Sequence, residues 1–198
     1  MKVVGVGAGP GMLTEEAIRA IESSRLIYGS PRAIEIASPF ISRSAEVNVI
    51  SDYRALRDLP AGAVVLSTGD PLLSGLGFLG GEIIPGISSM QVACARLRLS
   101  LLRVVPITVH GRRMEAEKIA FEIERGKTVF LLVDEASDLA GLCRHLEEAS
   151  LPRDLVVMSD LGYPEESIAF GSTRSPPSIL GLSCVLIGEI ERPLSPES

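Results

Sequence analysis

Cysteine, histidine and lysine are all scarce in this chain of 198 residues. The three cysteines, Cys94, Cys143 and Cys184, stand far apart and are odd in number, which excludes a disulfide framework and a Cys-x-x-Cys zinc site. The two histidines, His110 and His145, are as widely scattered, so no protein-bound metal is expected. Long apolar runs are missing too. The longest uncharged stretch, Ser175 to Gly188, has 14 residues and is broken by proline and glycine, too short to span a bilayer. The opening MKVVGVGAGPG turns to glycine where a signal peptide needs an apolar helix. A soluble, cytoplasmic protein with no membrane partner is the expectation. A basic excess is also absent: the formal charge is −6, which argues against a general nucleic-acid binder. No Gly-Lys-Ser/Thr occurs, so there is no Walker phosphate loop. A dinucleotide fingerprint starting at Gly5 and Gly7 would place its third glycine at Pro10, and Tyr28-Gly29 stands where a ribose-binding acid belongs.

What is present suits a packed α/β protein. Hydrophobic residues make up 46% and charged residues 22%, enough for a sizeable core. Residues 1–105 are nearly balanced in charge, with ten basic and nine acidic side chains, and the acidic excess lies in residues 106–198. Two α/β domains, 1–105 and 106–198, joined near Arg103–Pro106, are therefore expected. Short β-branched runs (Val3-Val4, Val47 to Ile50, Ala63 to Leu66, Thr128 to Val133, Leu155 to Met158, Ser183 to Ile187) alternate with helical patterns. Thr14 is placed to cap the first helix and Pro31 to open the second. Helices are also expected over Ser51–Leu59, Ile87–Leu97, Glu115–Glu124 and Ala136–Ala149.

Three glycine-bearing loops follow strands in the first half. Gly5, Gly7, Gly9 and Gly11 form the first, Ser67-Thr68-Gly69-Asp70-Pro71 the second, and Pro85-Gly86-Ile87-Ser88-Ser89 the third. Glycine lets main-chain N–H groups approach a ligand closely, and the carboxyl ends of parallel strands are where ligands bind. Taken alone, Asp70 reads equally as a helix cap or as a group holding a hydroxyl, and Ser88 and Ser89 as caps or as cleft hydroxyls. Three such loops in one half-chain point to a single ligand cleft.

The set GAGPG, STGDP and IPGISS resembles that of the tetrapyrrole methylases, the S-adenosylmethionine-dependent family of siroheme and cobalamin synthesis, and the resemblance runs over nearly the whole chain. In the second half, Val109-His110-Gly111-Arg112 and Leu161-Gly162-Tyr163-Pro164-Glu165-Glu166 resemble the branch that methylates carbon 5 of cobalt-precorrin-7. The resemblance implies a class III methyltransferase fold: two α/β domains with the cofactor in the cleft between them, in a homodimer. It implies S-adenosylmethionine as cofactor, S-adenosylhomocysteine as product, and a tetrapyrrole substrate. Carried over by motif, the cofactor-binding residues would be Pro10 and Gly11; Thr68, Gly69, Asp70 and Leu73; Ser88 and Ser89; Leu132 and Val133; and Gly162 and Tyr163. Some relatives add a domain acting at carbon 15. At this length such an activity is expected on a separate protein, coupled functionally. Two departures stand out. Gly11 leads at once into Met12-Leu13-Thr14, without the aspartate that usually follows in the family, and only ten residues separate Gly75 from Gly86, so the helix usual there must be short or missing.

Methyl transfer from a sulfonium to an electron-rich macrocycle needs no protein nucleophile or metal; alignment and dryness suffice for most of it. Asp70 and His110 are the candidate proton acceptors. The substrate carries several carboxylates, and of 19 basic side chains only three are lysine, leaving sixteen arginines suited to bidentate carboxylate pairing. Arg112, Arg113 and Arg32 are the candidate substrate contacts, with an Arg113–Glu117 ion pair as the alternative for Arg113. His145, amid Arg144, Glu147 and Glu148, is expected on a solvated face, and the cysteines as buried small hydrophobes. The rival readings are a tetrapyrrole methylase acting at another ring carbon and a non-catalytic nucleotide-binding module.

Overall fold

A computed structural model describes residues 1–108, 114–179, 181 and 183–191. The chain divides into two units, Met1–Ser89 and Met90–Ser198. The division falls after the first residue of the helix Ser89–Leu97, whereas the charge step lies near residue 105. Within the second unit, Arg96 of that helix forms a two-pronged ion pair with Glu166. Charge composition carries no trace of that contact.

The first unit holds strands β1 (Lys2–Gly5), β2 (Leu26–Gly29), β3 (Glu46–Val49), β4 (Val64–Ser67) and β5 (Glu82–Ile84). They form one sheet in the order β3-β2-β4-β1-β5 with every neighbouring pair parallel. Val3, Val4, Val65 and Leu66 are essentially inaccessible, as continuous apolar strands of a parallel sheet must be. Helix α1 (Glu15–Glu22) starts as expected, with the Thr14 hydroxyl accepting the Ala17 N–H at 3.1 Å. Helix α2 (Pro31–Ala37) starts with Ser30 accepting the Ala33 N–H at 3.2 Å. Helix α3 is the single turn Pro71–Ser74. The stretch Ser51–Leu59, expected to be helical, yields only a 3-10 turn, Ala55–Asp58. Asp52 accepts the Arg54 N–H at 2.8 Å in a local turn and Pro60 follows, so an α-helix has neither start nor room.

The second unit holds α4 (Ser89–Leu97, its first residue being the last of the first unit), β6 (Val104–Thr108), α5 (Ala116–Glu124), β7 (Thr128–Val133), α6 (Leu139–Glu148), β8 (Asp154–Ser159), β9 (Ser167–Ser172) and β10 (Ser183–Gly188). Its sheet runs β6-β7-β10-β8-β9; only β6 and β7 are parallel, the other pairs antiparallel. Helix α6 starts three residues later than Ala136. Asp134 accepts from the Ala136 N–H (3.1 Å) and the Ser137 hydroxyl (2.9 Å), spending that stretch on a turn, and Asp138 then caps Gly141. Val129, Leu131 and Val133 of β7 pack with Ile119, Ile123, Leu142 and Leu146 of the helices, and the register of β10 adds Val185 and Ile187.

All three cysteines are buried, as expected. Burial pushes the Cys143 thiol up to about 11 and Cys184 to about 12, and raises Cys94 as well, so none is a thiolate at neutral pH. His145 is half-buried on α6 rather than fully solvated, because it adjoins the core residue Leu146. Among the described residues no helix is long and apolar enough to cross a membrane, and no group of three His, Cys, Asp or Glu side chains could hold a metal ion.

The cap at the head of α1 gives a direct test. Replacing Thr14 by alanine is expected to cost about 1 kcal/mol, read as a lower urea midpoint at unchanged slope, whereas serine should retain nearly all of it.

Candidate functional site

The strand order of the first sheet decides where the glycine loops go. β4, β1 and β5 are adjacent, and their register aligns Gly5 with Ser67 and Val4 with Ile84. The three loops therefore leave one edge side by side, although their glycines lie up to some eighty residues apart in sequence. This is the carboxyl end of a parallel sheet, where β1 has neighbours reached by chain on either side, and such a crevice is the general ligand site of open α/β sheets.

Main chain meets main chain at that edge. Gly7 and Gly69 form an isolated antiparallel bridge: the Gly69 N–H donates to the Gly7 carbonyl at 2.8 Å, and the Gly7 N–H to the Gly69 carbonyl at 3.3 Å. A Cβ on Gly5 would lie 2.6 Å from the Gly86 nitrogen and 2.7 Å from the Gly69 oxygen; one on Gly86 would run into that same oxygen. Glycine is demanded here by the approach of two other backbones. Gly69 differs. It adopts φ +70°, and a side chain there would meet only Ser88 Cα at 3.8 Å and Ser89 N at 3.9 Å. Gly11, at φ +78°, has nothing within 4 Å of its Cβ direction. The loops are thus welded at their bases and leave room for little more than a methyl group beside Gly69, a main-chain cradle that a larger side chain would fill, while Gly11 faces open space at the surface.

Asp70 performs the cap that its sequence context suggested, and more. Its Oδ1 accepts the Leu72 N–H at 2.8 Å and the Leu73 N–H at 3.4 Å, while Oδ2 accepts the Gly86 N–H at 3.0 Å. One carboxylate thereby starts α3 and ties the second loop to the third. Behind it the hydroxyls of Ser67 and Ser74 are 2.6 Å apart. Ser88 is buried and Ser89 half-buried at the first residue of α4; Thr68 and Leu73 are half-buried, and Pro10 and Gly11 are exposed. These expected cofactor residues of the first half stand on the three converging loops. Arg32 lies half-buried in the first turn of α2, after β2, the strand next to β4 in the same parallel sheet.

In the second unit the structure separates Leu132 from Val133. Strand alternation turns Val133 into the helix-facing core, fully buried, and leaves Leu132 half-buried on the other face. Of the two, only Leu132 has a side chain with accessible surface; Val133 could act through its backbone alone. Gly162 and Tyr163 sit in a tight loop after β8. Asp160 and Gly162 adopt φ +49° and +83°, Tyr163 N–H donates to the Asp160 carbonyl, and Glu166 N–H to the Tyr163 carbonyl, both at 3.0 Å. Glu166 ends the motif Leu161–Glu166 and holds its loop together. Its Oε2 accepts the Gly162 N–H at 2.7 Å, and its carboxylate takes Arg96 Nε at 2.6 Å and Nη2 at 3.1 Å. The Arg96 fork holds this carboxyl below the usual carboxylate range against the opposing effect of burial, and the Gly162 amide adds to the lowering. The four-residue spacing of Gly162 and Glu166 within one motif was the signal available; nothing near Arg96 announced it. His110, Arg112 and Arg113 lie outside the described residues.

Two outcomes follow. Gly5→Ala should destabilise the protein by at least about 2 kcal/mol, since backbone must move. Gly62→Ala, with nothing within 4 Å, should stay within about 0.5 kcal/mol; both are read by denaturant titration. The lowered Glu166 pKa stabilises the fold above the unfolded carboxyl pKa of about 4.3, and that contribution disappears as pH falls through the lower folded value. Melting temperature measured from pH 6 down into the acid range should therefore fall less steeply for Glu166→Gln than for wild type.

Comparison with known proteins agrees with the α/β fold of two sheets. The family model for Tetrapyrrole (Corrin/Porphyrin) Methylases matches residues 2–176. A probable cobalt-precorrin-7 C(5)-methyltransferase of Methanocaldococcus jannaschii is 30% identical over 189 residues, covering 85% of this chain and 88% of that one. The crystal structure of a cobalamin-biosynthesis precorrin-6Y methylase from Archaeoglobus fulgidus superposes with a TM-score of 0.74 at 28% identity, covering 96% and 98% of the two chains. The Thermus thermophilus uroporphyrin-III C-methyl transferase, solved with S-adenosylhomocysteine, shares the fold at a TM-score of 0.73 and 17% identity, over 95% and 96%. With a family match over nearly nine-tenths of its length, and the glycine loops of that family meeting at one sheet edge, the chain belongs to the tetrapyrrole methylases.

Proposed function

We propose that this protein is the S-adenosylmethionine-dependent C-methyltransferase of cobalamin biosynthesis that methylates carbon 5 of cobalt-precorrin-7. The observation that carries the reading is the welded main-chain cradle around Gly69, on a chain whose archaeal relatives bear C5-methyltransferase and precorrin-6Y methylase names. Its composition fits a donor recognised by main chain: positive-φ glycines, small hydroxyl residues, and no charged group other than Asp70. Pro10, Gly11, Thr68, Gly69, Asp70, Leu73, Ser88 and Ser89 would hold it from the first unit, and Leu132, Val133, Gly162 and Tyr163 from the second.

When bound, the cofactor supplies an electrophilic methyl on a sulfonium and leaves as the thioether S-adenosylhomocysteine. The chain's own contribution is placement. Aligned partners gain roughly 7–11 kcal/mol from effective molarity alone, and a rigid main-chain cradle holds such alignment without rotamer freedom to lose. Asp70 already accepts from three main-chain N–H groups, which suits a brace of the two loops rather than a base. That leaves His110 as the proton acceptor in this reading. Arg112, Arg113 and Arg32 would meet the substrate's carboxylates. The working protein would be a cytoplasmic homodimer, coupled to a separate carbon-15 methyltransferase and decarboxylase.

Incubation with methyl-labelled cofactor and a panel of precorrins, read by NMR, should place the label on carbon 5 of cobalt-precorrin-7. Label on another ring carbon would move the enzyme to a different step. Saturable S-adenosylhomocysteine binding without any transfer would make it a binding module. Gly69→Val should abolish S-adenosylhomocysteine binding in calorimetry, because it strains a φ of +70° and fills the cradle; normal affinity in a folded variant would remove Gly69 from the site.

A further inference from the structure

The loop Asp160–Glu166 is built to hold one unusual shape. Two of its first three residues take positive φ, and one of them, Asp160, has a Cβ, a strained conformation that persists where the surroundings hold it. Main-chain bonds from Tyr163 N–H to the Asp160 carbonyl and from Glu166 N–H to the Tyr163 carbonyl hold the turn, and the Glu166 side chain adds a further tie. The side-chain oxygen Oε2 takes the Gly162 amide from inside the loop and Arg96 Nη2 from outside, while Oε1 takes Arg96 Nε. The Glu166 side chain is 16% accessible, while Arg96 reaches it from a more exposed position, 44% accessible. Arg96 stands in the last turn of α4, whose N-terminal residue is Ser89 of the third glycine loop. A single helix thus begins at one expected cofactor segment and ends on the side chain that grips another.

We propose that Glu166 and Arg96 are positioning residues for cofactor binding: the Arg96 fork orients the Glu166 carboxylate, which fixes the Gly162–Tyr163 backbone in its binding shape. The inference rests on the cofactor reading above and extends it to two side chains to which that reading gives no role. The chemistry separates the two halves of the device. Gln at 166 keeps an oxygen for the Gly162 amide but loses the ionic fork; Ala loses both; Lys at 96 keeps the charge but not the two-pronged geometry.

The test is S-adenosylhomocysteine affinity by calorimetry together with melting temperature, for wild type, Glu166→Ala, Glu166→Gln, Arg96→Ala and Arg96→Lys. Glu166→Ala should weaken binding at least tenfold. Glu166→Gln and Arg96→Lys should weaken it two- to fivefold, with Arg96→Ala in between. In turnover, the cofactor KM should rise in that same order while kcat and the tetrapyrrole KM stay near wild type, a pattern that general loss of stability would not produce. Should Glu166→Ala fail to fold, the graded pair Glu166→Gln and Arg96→Lys carries the test. Lowered melting temperature with wild-type affinity in all folded variants would make the pair a structural brace only and overturn the proposal. No saturable binding by wild type would overturn the cofactor reading, and this inference with it.

Discussion

Close approach of bare backbone governs this protein. At the edge of the first sheet Gly5, Gly69 and Gly86 come so near one another that a single Cβ on Gly5 or Gly86 would collide with the neighbouring main chain. Everything else at that edge follows from the contact. The Gly7–Gly69 bridge closes the first loop on the second, and Asp70 closes the second on the third. Because the loops satisfy one another's polar groups, their shape does not depend on ligand contacts, and the positive-φ glycines are free to line a cradle without side chains. A site of this kind recognises by shape and by main-chain hydrogen bonds. That suits a small donor bearing a positive sulfur, to be aimed at a much larger acidic ring.

The second unit solves a related problem by other means. Its loop after β8 also presents main chain, but there a charged side chain supplies the rigidity: Glu166 spans its own loop and is held by Arg96. Carboxylates serve in both places, Asp70 in the first unit and Glu166 in the second, and each accepts main-chain N–H groups of a glycine-bearing loop. Acidic side chains in this protein brace loops; they are not grouped as a metal site among the described residues.

Much of this could be read along the chain. Thr14, Ser30-Pro31 and the β-branched runs announced their elements because capping and alternation are local physics. The glycine motifs identified the loops. The reading failed where a local hydrogen bond competed with periodicity, as at Asp52 and Asp134, whose side chains spend the chain on turns in place of helix. Nor does the motif separate Leu132 from Val133, which strand alternation places on an accessible and a fully buried face.

By itself, the order of residues determined the class of fold, the three loops and the lack of a dinucleotide fingerprint, all of which depend on neighbours within a few positions. Only the tertiary structure decided that β4, β1 and β5 lie side by side, that Gly86 donates to Asp70 sixteen residues away, and that Arg96 grips Glu166 seventy residues away. Those partners are brought together by sheet order and helix placement. A carboxylate in a sequence carries no mark of which distant N–H or guanidinium it will meet.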